Sequence, residues 1–222
     1  MASSKPTLAI IGGTGALGSG LARRLVKAGY DVVVGSRTAE KATEAASQLP
    51  AVEGAAKPRG ATNADAAAAA DVILVTVPFA SQAQILDEIK PHVAGKLVID
   101  TTVPLVPPKV ARVQLPSEGC AAVLASQRLG DGVRVVTAFH NVAAHKLQTD
   151  VEIDCDVLVF GDDPKDRDVA IALAKAAGLR GLHAGPLVNS AAAEAFTSIL
   201  IGINRAYKVD GAGIRVTGII EA

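Results

Sequence analysis

The residues best placed to do chemistry are Gly13-Thr14-Gly15-Ala16-Leu17-Gly18 and, farther on, Ser36 and Arg37 with Lys41. The glycine series follows the apolar run Thr7–Ile11, and Leu21, Leu25 and Val26 recur after it at helical spacing until Gly29. In such a strand, turn and helix, Gly13 permits the tight turn, Gly15 lets backbone approach a pyrophosphate, and Gly18 lets the helix pack against the strand. The amides and positive dipole end of the helix starting near Ala16 then face the phosphates. Binding of a dinucleotide is the chemistry to expect.

The second group selects which dinucleotide. An NAD site normally places Asp or Glu at the end of the second strand to bind the ribose hydroxyls. Here Asp31–Val34 leads into Gly35-Ser36-Arg37. A carboxylate would repel a 2′-phosphate, whereas a hydroxyl, a guanidinium and the Lys41 ammonium one helical turn on would hold it by charge-assisted hydrogen bonds. NADP is favoured over NAD.

Groups suited to proton chemistry are scarce. No pair among His92, His140, His145 and His183 has the spacing of a zinc helix motif, and no metal site is expected. His140 stands just past the run Val133–Phe139, where a substrate or nicotinamide edge would lie, and is a candidate for orienting a ligand. Asp162 and Asp163 precede Pro164 in N-cap position and read as structural, and Glu194 reads as a charge complementing the dipole of the last helix. No lysine is placed as a general base and no G-x-S-x-G elbow occurs. Alcohol oxidation needs a proton acceptor, while hydride exchange between two carbon carriers proceeds mainly by face-to-face positioning, so this inventory suits the second kind.

The elements that must position these groups follow from the pattern. The 222 residues accommodate an extended α/β domain or a domain with a smaller companion. Apolar residues make up 50% of the chain but aromatics only 3%, so helices should pack through small side chains. A net charge of zero gives no attraction to nucleic acid or to an anionic membrane. Cys120 and Cys155 form no C-x-x-C pair and read as idle thiols, and Met1–Pro6 has no apolar core of a secretory signal, so a cytoplasmic location is expected.

Helices are expected over Thr38–Leu49, from Asn63 or Asp65 (as cap) to Ala70, and over Ser81–Ile89, Glu118–Leu129 and Lys165–Ala177. They alternate with strands at Asp71–Val77, Lys96–Asp100, Val133–Phe139, Val157–Gly161 and Leu179–His183, with a loop, holding at most a short strand, over Ala51–Thr62. The proline-rich Thr101–Pro108 must be loop and leaves a strand at its carboxyl end, where ligands lie in open α/β sheets. The apolar Phe196–Ile203, between Glu194 and Arg205, is too short to cross a bilayer. It belongs to a long helix, about Ala191 to Tyr207, too apolar for a monomer surface and expected to pack on a sheet edge or a second subunit. The fold expected is a Rossmann-type doubly wound parallel sheet with a small C-terminal α/β extension ending in that helix.

Taken in order, Ile11–Gly18, Val34–Arg37, Thr76-Val77-Pro78-Phe79, Ala138-Phe139-His140, Val159–Asp163 and Ala184–Ser190 resemble the coenzyme F420-dependent NADP oxidoreductases, over nearly the whole chain. The chain departs from the family pattern at Ala191, where relatives often carry a basic residue, and in the Asp100-Thr101-Thr102 loop. The resemblance implies reversible hydride transfer between nicotinamide C4 and deazaflavin C5, with no acid or base required. Thr14 to Leu17 would lie along the pyrophosphate, Ser36, Arg37 and Lys41 on the 2′-phosphate, and Val77, Pro78 and Phe79 beside the path from adenosine to nicotinamide. His140, Val142 and Ala143 would line the place where deazaflavin meets nicotinamide. Residues 1–140 would form the NADP-binding domain, and 141–222 a small domain contributing to the second-substrate site and to a homodimer contact. A non-catalytic NADP-binding or redox-sensing module and an NADPH-dependent flavin reductase are the alternatives.

Overall fold

All four residues of β1 (Leu8–Ile11) are buried, and the absence of polar alternation follows from helices covering both faces of the sheet. The computed structural model describes residues 5–219, so most of the N-terminal leader lies outside the described residues. β2 (Val32–Ser36) and β4 (Val72–Val75) flank β1, both parallel to it. β3 (Arg59–Thr62) extends the sheet beyond β2, and β5 (Leu97–Asp100) and β6 (Arg134–Thr137) extend it beyond β4, again in parallel. With β7 (Asp156–Gly161) and β8 (Arg180–His183) the order is β3-β2-β1-β4-β5-β6-β7-β8. This is the expected doubly wound sheet. The order reverses at β1 and β4, which opens a crevice beyond their carboxyl ends.

One strand pair departs from the parallel pattern. β7 runs antiparallel to β6, with Val136 opposite Gly161 and Thr137 opposite Phe160, and β8 then pairs in parallel with β7. Between β6 and β7 the chain forms only the short α6 (Ala144–Leu147). A parallel return requires a crossover long enough to carry the chain back to the other end of the sheet, usually a full helix. Lacking one, β7 starts from the end where β6 stopped.

α1 (Ala16–Lys27) and α7 (Pro164–Ala176) cover one face, burying Leu21, Leu25 and Leu173, with Ala42 of α2 (Ala39–Ser47) in the same cluster. α3 (Asn63–Ala69), α4 (Phe79–Ile89) and α5 (Ala121–Leu129) cover the other, contributing Ala66, Ile85, Leu86 and Ala125. The cap of α3 is Thr62 rather than Asn63 or Asp65, its hydroxyl accepting from Asp65 N at 3.2 Å. Asp163 caps α7 through Lys165 N at 2.8 Å, while Asp162 accepts from Leu187 N at 3.0 Å and ties the next loop down.

α8 (Ser190–Tyr207) begins one residue earlier than expected. The stretch Leu187–Tyr207, 21 residues at mean hydropathy 1.2, is long and apolar enough to span a membrane, more than its eight-residue centre suggested, because the helix continues through Glu194. Its buried side presents Ser190, Ala193, Glu194, Ser198 and Leu200 to the protein. Phe196, Ile199 and Tyr207 on the helix, with Val188 just before it, are exposed.

Candidate functional site

The turn after β1 is made by Gly12, whose φ of 73° favours glycine, rather than by Gly13. Gly18 serves the close approach expected of it: a Cβ there would lie 2.5 Å from Thr76 Oγ1 and 2.8 Å from Gly13 Cα. The Thr76 hydroxyl donates to Ile11 O at 2.8 Å, and Asn63 Oδ1 accepts from Gly12 N at 3.3 Å, so β4 and α3 hold the turn from either side. α1 starts at Gly15 with no side-chain cap and no acid in its first turn, which leaves its first amides for a ligand.

Above this turn lies a cleft of about 410 Å³. Of the residues singled out from the sequence, Thr14, Gly15, Ser36, Arg37, Lys41, Val77 and Pro78 line it, together with Gly12, Asn63 and Thr76. Ser36 is buried at the end of β2, while Arg37 and Lys41 are exposed at the rim. Among the described residues the side chains of these three make no hydrogen bond or ion pair. A hydroxyl, a guanidinium and an ammonium held together without protein partners form a site for an anion. Gly13, Ala16, Leu17 and Gly18 do not line it, Gly13 and Gly18 being buried, Leu17 half-buried and Ala16 exposed, and Phe79 opens α4 half-buried without lining the cleft.

His140, Val142 and Ala143 line a second hollow of about 260 Å³, with Asn141, Thr197, Leu200 and Asn204 among its other walls. The loop that presents them is pinned to α8. Thr197 Oγ1 donates to His140 O at 2.9 Å, and Asn141 Nδ2 donates to Ala193 O at 2.9 Å. Phe139, just before, holds a φ of 66°, a conformation costly for a side chain with a Cβ. Burial pushes the His140 imidazole down to about 4, so it is neutral at pH 7. The Thr101–Pro108 loop, though irregular as expected, lines neither hollow.

Behind His140 runs a buried polar chain. Its Nε2 lies 3.4 Å from Ser190 Oγ, which donates to Glu194 Oε1 at 3.0 Å and accepts from Thr137 Oγ1 at 2.9 Å. Glu194 also accepts from Ala121 N at 2.6 Å and Ala122 N at 3.1 Å. It therefore caps α5, a different helix from its own, which corrects the expectation that it complements the dipole of α8. Burial pushes its carboxyl up, partly offset by the amides it accepts from. Asp100, at the end of β5, is likewise pushed up by burial while accepting from Thr102 N, Thr102 Oγ1 and Gln82 Nε2. These carboxylates are consumed in holding the frame. Cys120 and Cys155 are buried with thiols pushed up, so neither is a nucleophile.

Sequence reasoning missed Asn63, read only as a cap, and the face of α4 that joins the cleft, Ser81, Gln84, Ile85 and Glu88. Their spacing i, i+3, i+4, i+7 was available as a signal, but it is shared by any helix with one face on a core.

The family model described as "NADP oxidoreductase coenzyme F420-dependent" matches residues 7–104, the segment that builds the first cleft. The F420-dependent NADP reductase of Methanothermobacter thermautotrophicus is 41% identical over 222 residues, covering 96% of each chain. The chain belongs to the F420-dependent NADP reductase family. The F420-dependent NADP reductase of Methanocaldococcus jannaschii is 37% identical over 225 residues, 96% of this chain and 98% of that one. A crystal structure of a candidate F420-dependent NADP-reductase from Arthrobacter sp. FB24 shares the fold at a TM-score of 0.76 and 24% identity, covering 96% of this chain and all of the other. The similarity to the F420-dependent NADP reductases covers 96% of the chain, well beyond the segment that the family model matches.

Proposed function

We propose that this protein catalyses reversible hydride transfer between NADP(H) and coenzyme F420; the relatives it matches are named F420-dependent NADP reductases. The observation that carries the cofactor half is the cluster of Ser36, Arg37 and Lys41, gathered at one end of the cleft without protein partners. Thr14 and Gly15 with the first amides of α1 take the pyrophosphate, and Ser36, Arg37 and Lys41 the 2′-phosphate. The glycine turn fits this ligand, since Gly12 and Gly15 line the cleft with no side chain and Gly18 lets α1 sit close beneath, where a Cβ would lie 2.5 Å from Thr76 Oγ1.

The pair of cofactors supplies the chemistry, a hydride passing between nicotinamide C4 and deazaflavin C5. What the chain contributes is placement. His140, neutral and fixed through α8, orients the second substrate by a hydrogen bond, with Val142 and Ala143 beside it as apolar surface. No residue of the hollow is assigned a proton transfer. Residues 1–140 hold the nucleotide and 141–222 complete the second-substrate side. The exposed apolar side of α8 is the contact for a homodimer, since a stripe of this kind is disfavoured in water. Glu194 inside α8 and the burial of its inner side favour a soluble, cytoplasmic protein over a spanning one, with small redox molecules as partners and neither nucleic acid nor membrane.

Mixing the protein with NADPH and oxidised F420, and the reverse pair, while following both absorbances tests the assignment. Turnover in either direction supports it. Transfer to free flavins but not to F420 makes it a flavin reductase instead, and tight NADPH binding with no transfer to any acceptor leaves a non-catalytic NADP-binding or redox-sensing module.

A further inference from the structure

Opposite Ser36 and Arg37 the cleft is walled by one face of α4, and that wall carries an acid. Gln84 and Ile85, with Glu88 one turn on, face the same space as Arg37 and Lys41. Ile85 is buried, Glu88 half-buried and Gln84 exposed. Among the described residues neither Gln84 nor Glu88 has a hydrogen-bond or ion-pair partner, and Glu88 does not neutralise the cations across the cleft.

A carboxylate sharing a cleft with phosphates is unfavourable unless it meets a donor, because like charges repel. NADP presents mostly acceptors: phosphate oxygens and the ring nitrogens of its base. Apart from ribose hydroxyls, the adenosine half has one donor group, the exocyclic amine of adenine. With the pyrophosphate at α1 and the 2′-phosphate at Ser36, Arg37 and Lys41, the base carried by the same ribose is left with the wall of α4.

We infer that Glu88 accepts a hydrogen bond from the adenine 6-amino group and makes the cleft select adenine among purines. This rests on the proposal that NADP occupies the cleft. Gln84, one turn earlier, offers its amide donor to the adjacent ring nitrogen, and the Ile85 side chain supplies an apolar surface for the ring. Hypoxanthine replaces the amine with a carbonyl and carries its hydrogen on N1, so a carboxylate set at the 6-position would face an acceptor, and it regains a bond only if the base shifts to bring N1–H to it, where the Gln84 amide must also turn over. Sites built to bond a donor reject the analogue lacking it, and at a half-buried group the expected loss is roughly tenfold in affinity.

The test compares dissociation constants for NADPH and its reduced hypoxanthine analogue, read from nicotinamide fluorescence, in the wild type and in Glu88→Gln. The wild type is expected to favour NADPH by about tenfold. In Glu88→Gln, whose amide can turn either atom to the base, the preference should fall to about twofold. Preference for NADPH over NADH is the internal control, since it depends on the opposite wall and reports an intact fold. An unchanged base preference in Glu88→Gln overturns the inference. So does tighter binding of both dinucleotides, which would place the carboxylate beside a phosphate. A wild type that binds NADPH without base preference overturns this inference alone, whereas one that binds no NADPH overturns the cofactor assignment and this inference with it.

Discussion

Removal of Glu194 tests whether the second hollow depends on a cap supplied from elsewhere in the chain. Glu194 is 1% exposed and accepts three hydrogen bonds, from Ala121 N, Ala122 N and Ser190 Oγ. Glu194→Ala leaves two amides at the start of α5 and one hydroxyl without an acceptor, in a place water does not reach. Loss of an N-cap costs about 0.5–2 kcal/mol, and each stranded buried group about 1–3 kcal/mol. Against this, a buried carboxylate no longer has to be desolvated, which offsets part of the sum. A net loss of about 3 kcal/mol is expected, or roughly 6–12 °C in Tm for a chain of this size.

Urea denaturation, with the slope unchanged, gives the number directly. Ser190→Ala should cost less alone and should be non-additive with Glu194→Ala, since the two share a bond. The pH dependence has a definite sign. Burial holds the Glu194 carboxyl above its ordinary value, so the folded state binds the proton more readily than the unfolded one. The stabilisation it gives is fully present below the unfolded value and declines as pH rises through the folded one, so the deletion should cost more at pH 5 than at pH 8. A loss below about 1 kcal/mol, or additivity with Ser190→Ala, would refute the argument that this carboxylate holds α5 and the His140 loop together.

Three further outcomes are expected. Arg37→Ala with Lys41→Ala should raise KM for NADPH roughly tenfold to hundredfold while leaving that for NADH within about threefold, because charge-assisted bonds to one phosphate are lost; steady-state kinetics with both cofactors checks it. His140, held at about 4 by burial against 6.5 when unfolded, contributes stability that is present above 6.5 and lost as pH falls towards 4. The wild type should therefore lose up to about 3 kcal/mol more than His140→Gln across that interval, measured by urea melts at each pH. If the proposed homodimer forms through the exposed side of α8, Ile199→Glu with Phe196→Glu should yield a monomer in sedimentation equilibrium where the wild type is a dimer, with the fold intact by circular dichroism.

The strands and helices that frame the first cleft were legible because each is a short apolar run or a helical period closed by Gly or Pro. The glycine turn and the Ser36, Arg37 and Lys41 group could be read for a related reason: all lie within one βαβ unit and the first turn of the helix after it, so sequence spacing translates into spatial spacing. What could not be read depends on long separations or on chain direction. Glu194 meets Ala121 across 73 residues, and a lone acid near a helix start looks like a dipole partner for its own helix. A strand carries the same alternation whichever way it runs, so the antiparallel β7 left no mark in its own residues; the informative part was the stretch before it, too poor in helical pattern to make a crossover. Asn63 reads as a cap because its type favours caps, while the fold uses its amide oxygen on the backbone of Gly12.

The strand order also acts as a ruler. Ser36, on the wall of the first hollow, ends β2, and His140, on the wall of the second, stands just past β6, with β1, β4 and β5 between them. Four inter-strand gaps at about 4.8 Å set that span at roughly 19 Å, a length fixed by backbone hydrogen bonding rather than by any side chain. Substitutions along the two hollows can therefore change what each offers a ligand, but they cannot change how far apart the hollows stand. A chain of this family that accepts a longer or shorter donor would have to gain or lose a strand, or move the His140 loop along the edge.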